Sequence, residues 1–216
     1  MLRVDGRKQF IPRQTELEFP SVKGVVIVKR GDTQVQVTAQ LQKVVPNPKK
    51  PNCGFVKCFC QDKNVESQLQ NLINSSSIIP LESLCVKPNQ IVHQLQLHCI
   101  VLNNDSDPLS LFLTGCAASA LHLGVETRYI PTVFRLNQKC LDPLQQEENE
   151  EDLIVILDKS GQIVHFVGLE VEVNTLLQLK EISVYSNLCE ELEKIVKSNL
   201  KERIEKEKEV YRKLIE

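Results

Sequence analysis

The sequence contains few or none of the residue types and motifs on which many binding and catalytic proteins depend. Its 216 residues include no tryptophan and one methionine, and aromatic residues make up only 5%. No apolar run approaches the roughly 18 residues that a helix needs to cross a bilayer. The chain also has no P-loop, no dinucleotide-binding glycine pattern and no Cys-x-x-Cys pair. These absences argue against a membrane protein, the common nucleotide-binding enzymes and zinc-ribbon proteins.

Charge and cysteine content narrow the class of protein further. The formal net charge is −2, so no global basic field draws the chain to nucleic acid. Eight cysteines are scattered along the chain, and the densest group, Cys53, Cys58 and Cys60, has no fourth ligand nearby. The first ten residues are charged where a signal peptide would have an apolar core. We therefore expect an intracellular protein with reduced thiols, no metal site and no cofactor.

Alternating apolar and polar residues predict a strand-rich first half. Residues 24–30 and 33–45 are predicted to form a hairpin, with Val35, Val37, Ala39 and Leu41 on one face of the second strand. Further strands are expected over residues 10–19, 55–60, 84–87, 91–102 and 128–136. Apolar residues at helical spacing predict a helix over residues 64–79, closed by Pro80.

The second half is predicted to contain two more helices and a second hairpin. A helix of small residues is expected to begin with Asp107 as N-cap and Pro108 at its first position. Residues 153–157 and 162–167 are predicted to form the hairpin, and a long helix follows Asn174 to the chain end. This order predicts the α+β class, with helices against a mixed sheet. We expect one domain over residues 1–200 and a charged helical extension over residues 201–216.

The most informative segment spans residues 103–121. A strand that leads into a helix N-terminus is a natural phosphate site, because the first turn presents N–H groups that lack helical partners. Here the side chains oppose that role. Asp105 and Asp107 repel phosphate, Pro108 has no N–H, and Leu109 offers no donor. The segment keeps the arrangement of such a site and lacks its anion-binding groups.

Several motifs together resemble the RNase PH-like family. They are Arg3-Val4-Asp5-Gly6-Arg7, Gly31-Asp32-Thr33-Gln34-Val35, Ser83-Leu84-Cys85-Val86-Lys87-Pro88, Ala117-Ala118-Ser119-Ala120-Leu121, and Leu141-Asp142-Pro143 followed by Glu147-Glu148. Each motif alone is weak, but their order and spacing resemble the family over nearly the whole chain. The pattern is most similar to the catalytically silent ring subunits of the eukaryotic RNA exosome.

The resemblance implies a fold, partners and a cellular location. The fold would be an RNase PH-like domain built from S5-like β-α-β repeats, with the long C-terminal helix. The partners would be other RNase PH-like subunits in a hexameric ring, RNA-binding cap subunits, an associated exoribonuclease and RNA, with no membrane. The location would be the nucleus, the nucleolus and the cytoplasm.

The resemblance also has implications for catalytic activity. Active members degrade RNA 3′ ends by phosphorolysis, with a phosphate site that resembles Gly-Gly-Thr-Arg, or a serine-rich equivalent, where this chain has residues 106–109. We therefore expect a structural, catalytically inactive ring subunit that scaffolds the RNA channel. The alternative is a phosphorolytic 3′-5′ exoribonuclease whose site is shared with a partner subunit. A third interpretation is a binding module that acts outside any ring.

Two pairs of residues are candidates for a functional role. Glu148 and Asp152 lie near where active members carry their acidic pair, and are either degenerate catalytic remnants or part of a solvated acidic turn. Lys49 and Lys50, in a proline-rich loop, either contact the RNA backbone or form a solvated loop tip. With so few aromatic residues, the sequence gives no sign of a base-stacking platform.

Overall fold

Nine strands, three α-helices and one short 3-10 helix (Leu81–Leu84) occur within the residues that the structure describes. The structure is a computed structural model, and it describes residues 3, 5–8, 11–106, 108–136, 141–144, 153–158, 160, 163–167 and 187–215. The strands are β1 (Thr15–Glu18), β2 (Val25–Arg30), β3 (Thr33–Val44), β4 (Phe55–Cys60), β5 (Cys85–Lys87), β6 (Ile91–Asn103), β7 (Thr132–Leu136), β8 (Leu153–Leu157) and β9 (Ile163–Val167). The helices are α1 (Lys63–Ser76), α2 (Leu109–Leu123) and α3 (Asn187–Ile215).

The first sheet is mixed and contains a β-α-β unit. Its strand order is β1-β2-β3-β6-β4, and β5 also pairs with β6. The predicted β2–β3 hairpin is confirmed, with Val25 opposite Thr38 and Arg30 opposite Thr33. β4 runs parallel to β6, which is possible because α1 lies in the crossover between them. The mixed sheet and this unit agree with the α+β, RNase PH-like fold expected from the sequence.

Both α1 and α2 cover one face of this sheet. The alternating strand residues that face them are buried, which explains the period of two in the sequence. Helix α2 packs on β2 and β3, helix α1 packs on β4, and the two helices touch each other. Helix α2 is buried on nearly all sides, as expected of a helix that is apolar all round.

The second sheet is antiparallel, with the order β7-β8-β9. It has its own apolar cluster, made by Phe134, Leu136, Leu141, Leu153, Val155 and Leu157. Helix α3 joins the main core through Leu192 and Val196. Its far end is open to solvent, and Tyr211 is 66% exposed. Among the described residues, no helix is both long enough and apolar enough to cross a bilayer.

Several predicted boundaries differ from the structure. Strand β1 begins at Thr15 rather than residue 10, and β7 begins at Thr132 rather than residue 128. Helix α1 ends at Ser76 because Ser77 has a left-handed backbone, with φ of 51°. The buried Ile78 and Ile79 continue the apolar pattern beyond the end of the helix. The predicted end at residue 79 was therefore wrong.

The start of helix α2 also differs from the prediction. Helix α2 begins at Leu109, one residue after Pro108, whose carbonyl accepts a hydrogen bond from the Phe112 N–H. The predicted cap, Asp107, lies outside the described residues, as does Asn174. Helix α3 continues through residue 200 without a break. The predicted domain limit at residue 200 stays a prediction.

A glycine sets how closely α2 lies against the first sheet. A Cβ atom added to Gly115 would lie 2.7 Å from Cγ2 of Val37 and 3.1 Å from Cγ2 of Val28. Both valines are fully buried, so neither side chain has free space to move into. The helix–sheet distance therefore depends on the absence of a side chain at this position.

We predict that Gly115→Ala destabilises the protein even though alanine is the better helix former by about 1 kcal/mol. Overpacking a core costs about 1–3 kcal/mol, so the free energy of unfolding should fall by about 1–2 kcal/mol in urea denaturation. The matched control is Val37→Ala, which removes the clashing methyl groups. The double variant should lose less stability than the sum of the single variants, and strict additivity would contradict the contact.

Candidate functional site

A buried carboxylate, that of Asp142, lies among several arginines near the start of α2. Arg13 donates to it from Nε at 2.8 Å, from Nη2 at 2.9 Å and from its backbone N at 2.9 Å. Arg7 donates from Nη1 at 3.0 Å, and Nη1 of Arg30 lies 3.9 Å away. Asp142 is only 4% exposed. Such a charge is stable in the interior only because these partners surround it.

Arg30 connects this carboxylate to four elements of the fold. Its guanidinium donates to the carbonyl of Val133 at 3.0 Å, to Oγ of Ser110 at 3.4 Å and to Oγ1 of Thr15 at 3.0 Å. It also lies 5.2 Å from the ring centroid of Phe134, within range of a cation–π interaction. The arginine, 2% exposed, thus joins β1, β2, α2 and β7.

The turn that leads into α2 is anchored to the β2–β3 hairpin. Thr33 Oγ1 accepts a hydrogen bond from the Asp105 N–H at 3.1 Å and shares another with the Ser106 hydroxyl at 2.9 Å. The Asp105 carboxylate lies 3.2 Å from Nη1 of Arg13. The Leu109 side chain belongs to the hydrophobic core and is 3% exposed, so it is not part of this polar cluster.

The charges of the cluster nearly cancel. Burial alone would raise the pKa of Asp142, but the Arg13 hydrogen bonds and the charges of Arg30 and Arg13 lower it below its usual value. Burial alone would lower the pKa of Arg13, but the hydrogen bonds and the charge of Asp142 raise it above its usual value. Arg3, Arg7, Arg13 and Arg30 face three acids, Asp5, Asp105 and Asp142, so four positive charges less three negative ones leave +1. An internal anion therefore occupies these arginines.

Comparison with known proteins places the chain in a family. Residues 12–126, just over half of the chain, match the 3′ exoribonuclease family, domain 1, known as RNase PH. The chain belongs to the RNase PH family. The sequence matches no curated protein.

Solved structures of the same fold include three exosome proteins. An archaeal exosome core superposes with a TM-score of 0.75 at 20% identity, over 91% of each chain. The exosome of Archaeoglobus fulgidus with RNA bound to its active site gives 0.71 at 21% identity, over 89% of this chain and 92% of that one. Rrp46 of rice (Oryza sativa) gives 0.72 at 16% identity, over 92% and 100%. At these identities the likeness is one of fold.

Two of the motifs that resemble the RNase PH-like family, far apart in the sequence, meet at Asp142. Arg3 donates to the carbonyls of Leu141 and Asp142, each at 2.8 Å, while Arg7 pairs with Asp5 at 2.6 Å and with Asp142. The opening motif and the Asp-Pro turn therefore act as one unit. Sequence reasoning identified both motifs but not their contact.

Sequence reasoning also missed Arg13 and Arg30. For Arg30 a signal was present, because it continues the core-facing positions of Val26 and Val28 along β2. An arginine at such a position needs buried partners, and the pattern could have indicated a polar cluster. For Arg13 the sequence offers no comparable signal, since it precedes β1 in an irregular segment.

The predicted site residues do not come together at this cluster. Lys49 and Lys50 are exposed in a tight turn, where the Lys49 N–H bonds Asn47 Oδ1 and the Lys50 N–H bonds the Asn47 carbonyl, each at 2.9 Å. This turn follows β3, whereas the cluster lies at the beginning of β3, roughly 35 Å away along the strand. Glu148 and Asp152 lie outside the described residues.

We predict that Asp142→Asn lowers the free energy of unfolding by about 3–5 kcal/mol at neutral pH, because it leaves buried guanidinium groups without their anion. Asp5→Asn is the matched control. Its carboxylate is more exposed, so the loss should stay below about 1 kcal/mol. Urea denaturation of both variants measures the difference, and equal losses would contradict the central position of Asp142.

The same variant has a predicted pH signature. The lowered pKa of Asp142 means that its stabilisation is fully present above its unfolded pKa, near 3.9, and is lost as pH falls through the folded value. The wild-type protein should therefore lose stability below about pH 4 more steeply than Asp142→Asn does.

Proposed function

We propose that this protein is a structural, catalytically inactive subunit of an exosome-like ring. Its function would be to hold neighbouring subunits in position and to form part of the channel through which RNA reaches an associated exoribonuclease. The observation that carries this proposal is the occupation of the arginine cluster by Asp142 and Asp105.

Binding a phosphate at this cluster would require the protein to release an internal anion. Arg13 makes three hydrogen bonds to the Asp142 carboxylate, and these contacts also hold the N-terminal segment against the turn after β7. A substrate phosphate would compete with that cross-link. At the helix start itself, Pro108 has no N–H and Leu109 is buried without a polar group. Together these features support a scaffold in preference to a phosphorolytic site.

We propose as partners other RNase PH-like subunits in a hexameric ring, cap subunits that bind RNA, the exoribonuclease and RNA itself. The exosome structures of the same fold support the ring partners and RNA. We further propose that the assembly works in the nucleus, the nucleolus and the cytoplasm. The competing function is phosphorolysis at a site completed by a partner subunit, which the 3′ exoribonuclease family as a whole favours.

We predict that the full chain releases no nucleoside diphosphates from RNA in the presence of inorganic phosphate, either alone or reconstituted with ring partners. Chromatography of the products, with an active family member as positive control, measures this. Release that disappears in Asp152→Asn would establish the competing function instead. Native mass spectrometry of the reconstituted sample should show a hetero-oligomer, and a persistent monomer would support the independent module.

We predict that Lys49→Ala combined with Lys50→Ala weakens RNA crosslinking to the assembled ring. The two exposed lysines would contribute sequence-independent, salt-sensitive phosphate contacts. The control is Lys194→Ala, an exposed lysine on α3. Crosslinking that is equal in the double variant and in the control would exclude a contact at this loop.

A further inference from the structure

The face of the first sheet that points away from α1 and α2 has an unusual composition. We call it the amide face. It consists of the alternate residues Gln34, Gln36, Thr38, Gln40 and Gln42 on β3, Gln94, Gln96, His98 and Ile100 on β6, and Phe55, Lys57 and Phe59 on β4. A face that serves solubility alone is usually rich in charged residues, whereas this one is dominated by glutamine amides and aromatic rings.

Two rings on the amide face are stacked. The parallel register of β4 and β6 places Phe59 beside His98, with ring centroids 4.7 Å apart and planes 10° from parallel. Nζ of Lys57 lies 5.1 Å from the Phe59 ring centroid. Both rings are only partly buried, and Lys57 is exposed. The structure thus assembles an aromatic platform with an adjacent cation, which the low aromatic content of the sequence did not indicate.

The charge of the amide face suits a polyanion. Within the described strands β2, β3, β4 and β6, no residue on this side of the sheet is acidic. On the edge strand β1, Glu16 and Glu18 lie on this side of the sheet opposite Lys29 and Ile27, two strands away from β3, and Lys29 is ion-paired with Glu18. The loop that carries Lys49 and Lys50 joins β3 to β4, so it lies at the Phe55 end of the face. Cations therefore stand beside the platform and at one end of the sheet.

We propose that the amide face binds single-stranded RNA. A base would stack on the Phe59–His98 pair, Lys57 would contact a backbone phosphate, and the glutamine amides would bond base edges. The choice of RNA over a protein partner rests on the proposed function, and on Lys57 lying directly beside the rings. The core of a protein interface is usually depleted of lysine. The surface does not involve the arginine cluster.

The test measures the affinity of the full chain for a fluorescein-labelled oligoadenylate by fluorescence anisotropy at low salt. Phe59→Leu should weaken binding about tenfold, since it removes the stacking surface and keeps an apolar side chain. Phe59→Tyr should retain affinity. Tyr211→Leu, which removes an exposed aromatic ring on α3, is the matched control and should bind as the wild type does.

A second measurement tests the phosphate contact. Lys57→Gln should reduce the slope of log affinity against log salt by about 0.7, the value for one phosphate on a single strand. Lys194→Gln should leave the slope unchanged. Thermal unfolding of each variant separates a loss of binding from a loss of fold.

Two results would overturn the proposal. One is a wild-type chain that does not bind the oligonucleotide, and the other is equal affinity for wild type and Phe59→Leu. If the Phe59→Leu variant binds RNA normally and also fails to form the hetero-oligomer in native mass spectrometry, the face is assigned to a protein partner. Since the phosphorolysis assay does not depend on Phe59, the inactive-scaffold proposal stands or falls separately.

Discussion

The buried ion pair between Asp142 and Arg13 is the interaction on which the arrangement of this protein depends. Removing each charge from water costs several kcal/mol, so the carboxylate and its guanidinium partners are stable only together. Arg13 comes from the segment before β1, Arg30 from the end of β2, and Asp142 from the turn after β7. The network therefore fixes the N-terminal segment, the hairpin and the second sheet relative to one another, and places the start of α2 among them.

This constraint links stability to the proposed absence of phosphate binding. An arginine that holds a buried carboxylate cannot bind a phosphate without weakening the cross-link that positions it. The Asp105 carboxylate takes a further donor of Arg13, and Thr33 holds the turn that carries Asp105 in place. An RNase PH fold can thus retain the strand-to-helix junction and several arginines while those arginines hold internal carboxylates and stabilise the fold. The presence of basic residues near a helix start is therefore weak support for an anion site until their partners are known.

The sequence predicted the elements whose pattern is set by burial on one face. The bounds of β2, β3, β4 and β6 came within one residue, because alternate valines and leucines must face the helices. The end of α1 was misplaced because Ile78 and Ile79 continue an apolar pattern past the left-handed Ser77. The arginine cluster was not predictable in detail, since its ion pair joins residues 129 positions apart. The stacked rings likewise depend on a pairing of strands separated by α1, which no local pattern encodes.

The register that makes the stack also makes the core. Parallel pairing of β4 with β6 aligns Cys58 with Leu97 on the core face and Phe59 with His98 on the amide face. A slip of one residue would turn Phe59 into the core and expose Cys58, so burial on one face fixes the arrangement of the other. The packing of α1 and α2 therefore specifies the aromatic pair as firmly as it specifies the core. A surface positioned in this way needs little rearrangement to bind a ligand, because its geometry is set before the ligand arrives.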